Sequence, residues 1–98
     1  MADVTREQIA RMTPQIDLSA QDLGGLDLSR INLPLANLSG SNLNRANLSR
    51  AILTRANLTG ANLTGAHLSE ADFEKAKLGG ATWTDGRTCA PRSVWTCD

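Results

Sequence analysis

Leucine recurs every five residues without a break from Leu18 to Leu68, through Leu23, Leu28, Leu33, Leu38, Leu43, Leu48, Leu53, Leu58 and Leu63. Phe73, Leu78 and Trp83 carry the same register further. A period of five excludes the two ordinary elements. On an α-helix, residues five apart are rotated by about 140°, so the leucines spiral round the cylinder and share no face. On a flat strand five is odd, and successive leucines point to opposite sides. Neither element buries the set.

A chain that turns a corner in every repeat does. Two residues before each leucine lies a mostly small position: Ile16, Gln21, Leu26, Ile31, Ala36 and Ser41, then alanine at every fifth residue from Ala46 to Ala81. The residue between the two is usually Asn or Asp, as at Asp17, Asn37, Asn47 and Asn57. Small residue and leucine are two apart and share the inner side, while the Asn between them points out. Ser, Thr, Gly, Asn or Arg fill the next two places, where turn residues belong. The unit A-N-L-[ST]-x runs fourteen times from residue 16 to residue 85. With a turn of about a right angle in each repeat, four repeats close a loop, and the loops stack at the strand spacing of about 4.8 Å. The expected architecture is an all-β solenoid of about three and a half coils, with leucine over leucine inside.

Composition agrees with a thin core. Among 98 residues the aromatics are only Phe73, Trp83 and Trp95, so the apolar mass is Leu and Ala. The length is that of one domain. Its expected parts are an N-terminal helix within residues 1–15, the repeats over 16–85 and a tail over 86–98.

An open solenoid exposes unpaired edges at both ends. Thr5 and Gln8 have the spacing of a capping box. Ile9 and Met12 give a short helix over residues 5 to 12 an apolar side that can cover the first coil, and Pro14 stops it. Asp85-Gly86 ends the register with a turn signal. Trp83 and the tail from Arg87 to Asp98 are expected to roof the last coil. With both ends covered, a monomer is expected. Cys89 and Cys97 lie in that tail, and the sequence leaves open whether they are reduced or form a local disulfide, because it carries no distance.

The fourteen-fold A-N-L-[ST]-x pattern resembles the pentapeptide repeat family, over about seven-tenths of the chain. The resemblance implies a right-handed quadrilateral β-helix. The family is abundant in cyanobacterial genomes, and this small single-solenoid form looks like those members. Gln21, Leu26, Pro34 and Leu35 depart from the repeat, so the first coil is expected to be the less regular one.

Residues for catalysis are scarce. The lone histidine, His67, takes the outward place above Asn47 and Asp27, and one His with one Asn makes no metal site. Nothing orients it for a triad with Ser or Cys. Glu70, Asp72 and Glu74 beside Lys75 and Lys77 read as a solvated face. Gly24-Gly25 and Gly79-Gly80 are corner residues without the Lys-Ser/Thr of a phosphate loop. The reading is of a protein that is no enzyme and uses no cofactor and no metal.

Charge is more informative. Ten basic and ten acidic residues cancel, which argues against long-range steering of nucleic acid. Yet residues 28 to 69 hold Arg30, Arg45, Arg50 and Arg55 and no acid, while acidic residues outnumber basic ones on either side. Arg30 and Arg50 are expected to stack on one corner with Glu70 above, and Arg45 and Arg55 to occupy the two neighbouring corners. This band is the candidate surface for an unidentified acidic protein partner, against the plain alternative of solvated corners. Some members of the resembled family protect type II topoisomerases by mimicking DNA. A mimic should be long and strongly acidic, and here the middle band has the wrong sign. A rigid scaffold that binds a protein is the leading reading, and the DNA mimic is the alternative. No run of about eighteen apolar residues and no signal sequence is visible, so no membrane association and a cytoplasmic location are expected, with an oxidising compartment left open by the cysteines.

Overall fold

The structure is a computed structural model that describes residues 5–10 and 16–98. Parallel bridges join residues twenty apart, from Asp17–Asn37 through Asn47–His67 to Asn62–Thr82. From Leu18 to Leu63 each inner leucine donates its N–H to the carbonyl of the outward residue one coil on, as Leu48 does to His67 at 2.8 Å. Every repeat also closes a four-residue turn, as when the N–H of Ala51 donates to the Leu48 carbonyl at 3.0 Å. Four turns in twenty residues make a coil with four sides. Each side carries one isolated bridge and no continuous strand, because a corner every five residues leaves a single ladder position between turns.

The interior is the leucine column with its small-residue neighbours. Leu18, Leu23, Leu28, Leu33, Leu38, Leu43, Leu48, Leu53, Leu58, Leu63, Phe73 and Leu78 are buried, and Ala46, Ala51, Ala56 and Ala61 are fully enclosed. Fully burying one such leucine stabilises the fold by roughly 1.5 to 3 kcal/mol. Ser41 stands at an alanine place and is tolerated there because its hydroxyl donates to the Leu38 carbonyl at 2.7 Å.

Two members of the expected core are only half-buried, Leu68 and Trp83. Leu68 has no further coil above it, since the chain reverses at Gly86, whose N–H donates to the Trp83 carbonyl. Trp83 meets Phe73 edge to face, with ring centroids 6.1 Å apart.

The first coil departs from regularity only at its corners. Its ladder bonds measure 2.7 to 2.9 Å, like those above it. Its corner bonds are longer, 3.2 to 3.4 Å against 3.0 to 3.1 Å in the second coil. Gln21, Leu26 and Ile31 put larger side chains where later corners have Ala or Ser, and Pro34-Leu35 occupies the fourth corner.

Helix α1 (Arg6–Ala10) opens on the expected box: the Thr5 N–H donates to Gln8 Oε1 at 2.8 Å, and the Gln8 N–H to Thr5 Oγ1 at 3.3 Å. Ile9 joins the leucine cluster, and Arg6 Nη1 donates to the Asp27 carbonyl at 2.8 Å. Met12 and Pro14 lie outside the described residues.

At the other end the tail folds back antiparallel, pairing Thr88 with Thr82 and Val94 with Lys77. The N–H groups of Leu78, Gly80 and Trp83 donate to the carbonyls of Ser93, Cys89 and Arg87. Gly79 lies directly under the Pro91 backbone, where a Cβ would collide. A disulfide joins Cys89 to Cys97, with Cα atoms 4.8 Å apart. The tail covers the part of the last coil that holds Leu78, Gly80 and Trp83. The backbone N–H groups of Leu68, Glu70, Phe73 and Lys75 have no protein acceptor among the described residues.

Candidate interaction surface

The outward Asn or Asp builds the corner that follows it. Its side-chain oxygen accepts the N–H two residues on: Asp17 from Ser19, Asn37 from Ser39, Asn47 from Ser49 and Asn62 from Thr64, each at 3.0 to 3.1 Å. Such Asx turns satisfy a donor that the coil leaves unpaired. The Ser19 and Ser29 hydroxyls add a second bond to Asp17 and Asp27 at 2.6 Å. Those hydroxyls, with the backbone N–H groups beside them, hold both carboxyls below the ordinary value of 3.8. The positively charged Arg6 contributes weakly at Asp27. One further contact climbs between coils, from Asn42 Nδ2 to Asp22 Oδ1 at 3.1 Å.

The last residue of the repeat sits in the left-handed backbone region. Gly25, Gly40, Gly60, Gly65 and Gly80 do so with φ between 66° and 72°, and Arg30, Arg45, Arg50 and Arg55 with φ of 59° to 61°. This is the turn conformation that glycine takes without steric cost, whereas a side chain there costs roughly 1 to 2 kcal/mol. All four arginines are exposed. Arg30 and Arg50 share a corner column with Glu70, and Arg50 Nε pairs with Glu70 Oε2 at 2.7 Å. Both partners are more than half exposed, so the pair is worth only about 0 to 1 kcal/mol. Arg45 and Arg55 lie on the corners to either side. Arg45 Cγ comes within 3.2 Å of where a Cβ on Gly65 would stand, so the bare glycine gives the Arg45 stem its room.

His67 is exposed and bridges to Asn47 on the same outward column as Asp27. Among the described residues no three His, Cys, Asp or Glu side chains are placed to hold a metal ion. Among the described residues no helix is long and apolar enough to cross a membrane. Ile52 at an outward place and Leu35 at a corner are exposed; the sequence marks Leu35 only as a departure from the repeat and does not single out Ile52. The signal was present as two aliphatic residues where the repeat has a polar or turn residue.

A family model described as pentapeptide repeats matches the chain in eight copies over residues 15–50, 35–69 and 51–84. A pentapeptide repeat protein from Nostoc PCC 7120, solved by crystallography, is 45% identical, with a TM-score of 0.68 over 68% of this chain and 55% of that one. One from the cyanobacterium Cyanothece 51142 is 38% identical, with a TM-score of 0.47 over 70% of this chain and 54% of that one. A third, from Nostoc sp. strain PCC 7120 and involved in heterocyst differentiation regulation, is 34% identical, with a TM-score of 0.35 over 76% of this chain and 41% of that one. This chain therefore matches about half the length of the first two. No curated protein matches it significantly.

Proposed function

We propose that this chain, which belongs to the pentapeptide repeat family, is a non-enzymatic scaffold whose arginine-bearing corners dock a protein partner. The supporting observation is the backbone at Arg30, Arg45, Arg50 and Arg55. Each arginine holds a left-handed conformation that glycine occupies at equivalent corners, so a side chain there strains the local backbone. The one hydrogen bond or ion pair that these four side chains make among the described residues is the exposed Arg50–Glu70 pair. Strain kept at an exposed residue is accounted for by a use outside the fold. In this reading the solenoid is right-handed like its family, makes about three and a half coils over residues 16–85, and works as a monomer. The helix within residues 1–15 and the tail over 86–98 serve as its caps.

The test is charge reversal at Arg45, Arg50 and Arg55 together, followed by affinity capture from the native host and by thermal melting. Loss of the captured protein with the midpoint almost unchanged supports the docking surface. Unaltered capture supports solvated corners instead. The topoisomerase-directed DNA mimic has less in its favour: a body of 32 × 23 × 22 Å with a basic middle band is a poor copy of a uniformly acidic rod. A gyrase supercoiling assay with excess protein decides it, since inhibition or drug protection would establish mimicry.

A further inference from the structure

The four corner columns are not alike. Steps of twenty place Ala20, Gly40, Gly60 and Gly80 on one corner, and Gly25, Arg45 and Gly65 on the next. The remaining two carry Arg30, Arg50 and Glu70, and Leu35, Arg55 and Lys75. All these residues have positive φ. Glycine relieves the strain at most places on the first two corners and nowhere on the other two.

Those two corners border a single face, whose outward column is Asn32, Ile52 and Asp72. Ile52 is 40% exposed and Leu35 on the border is 46% exposed. Ile52 also forgoes the acceptor that Asn47 and Asn57 offer to the turn after them. A third exposed apolar residue, Trp95, donates its N–H to the Ala76 carbonyl, beside Lys75 at the upper end of the same border. Strained borders, a missing turn bond and exposed aliphatic groups thus converge on one side of the coil. None of the three helps the fold.

The charge on this face limits what it fits. Arg30, Arg50 and Arg55 surround Ile52 on the lower coils, and Arg50 keeps guanidinium donors beyond the one that Glu70 takes. Glu70, Asp72 and Glu74 follow on the coil above, with Lys75 the base at its border. A nucleic acid or anionic membrane laid along the face runs over all of those carboxylates, whereas a short segment across the two lower coils, about 5 Å apart, lies on the arginines and only borders Asp72 and Glu70, the latter already paired with Arg50. We propose that this face docks a short acidic protein segment bearing an aliphatic side chain. The aliphatic group rests on Ile52 and Leu35, and its carboxylates meet Arg30, Arg50 and Arg55. This deepens the scaffold reading and rests on it.

Fluorescence anisotropy tests it with four probes: a labelled heptapeptide alternating glutamate and leucine, an all-glutamate heptapeptide, a single-stranded DNA, and phosphatidylserine vesicles. The glutamate–leucine peptide is expected to bind best. Ile52→Asn and Arg55→Gly should each weaken it by roughly tenfold or more, the loss of one well-made contact, while Thr59→Ala, exposed on a corner that does not border the face, changes little. Neither Ile52→Asn nor Arg55→Gly should lower the thermal midpoint, because one restores a turn acceptor and the other relieves strain. Equal binding of DNA, vesicles or the all-glutamate peptide overturns the proposal, and so does no binding of the glutamate–leucine peptide at millimolar concentration. If Ile52→Asn is without effect while reversal of the arginines abolishes host-protein capture, this inference fails and the scaffold reading stands.

Discussion

Asn47 and Leu48 are neighbours with opposite duties. Leu48 faces a filled interior, and Leu48→Ala should cost about 2 to 5 kcal/mol because the stacked coils cannot collapse into the gap. Asn47 points outward yet accepts the Ser49 N–H at 3.0 Å, so Asn47→Ala should cost about 0.5 to 1.5 kcal/mol. Urea unfolding of the two variants checks the order, and equal losses would contradict the inside–outside assignment. The inward duty was plain from the five-residue period. The corner duty of the Asn was not, because an alternation of polar and apolar residues says which way a side chain points and not what it bonds. Asp17 and Asp27 carry a pH signature of the same turns. Their carboxyls titrate below 3.8, so they stabilise the fold above that value, and the contribution is lost as pH falls through their lowered folded-state values. The double variant Asp17→Asn, Asp27→Asn should lose less stability than the parent between neutral pH and the region below 3.8, as measured by melting across that range.

The coil itself was legible because each repeat says the same thing fourteen times, and the register survives local departures. Gln21, Leu26 and Pro34 lengthen corner bonds without disturbing the ladder. The elements at the ends carry no such repetition. The capping box at Thr5 and Gln8 is a local signal and was readable. The tail has no period, so neither its antiparallel return nor its partial coverage could be read from spacing. Its pairing satisfies Leu78, Gly80 and Trp83, and its disulfide closes a loop between residues eight apart, worth about 2 to 3 kcal/mol on the chain-entropy model. Deleting residues 86–98 should bare these donors beside the open N–H groups of Leu68 and Phe73, extending one exposed edge round the whole last coil. Size-exclusion chromatography with light scattering should then find dimers or larger species. A truncated chain that stays a stable monomer would show that the tail protects no edge.

At the scale of the molecule, the five-residue period determines the interior and leaves the corners nearly free. The sequence showed that four arginines stand on corners. It did not show that they are strained, since arginine is no marker of left-handed backbone and only the glycines in equivalent places reveal what that conformation prefers. The inequality between corner columns is hidden for the same reason, emerging once residues twenty apart are stacked. What the arginines are for therefore depends on whether they serve the fold or something outside it. Thermal melting of the quadruple variant Arg30→Gly, Arg45→Gly, Arg50→Gly, Arg55→Gly asks this directly. Relief of the left-handed strain, roughly 1 to 2 kcal/mol per site, is set against the backbone entropy of glycine at about 0.5 to 1 kcal/mol and one exposed ion pair. The midpoint should equal or exceed that of the parent. A clear fall in the midpoint would mean that the arginines hold the solenoid together, and would contradict a surface kept for a partner.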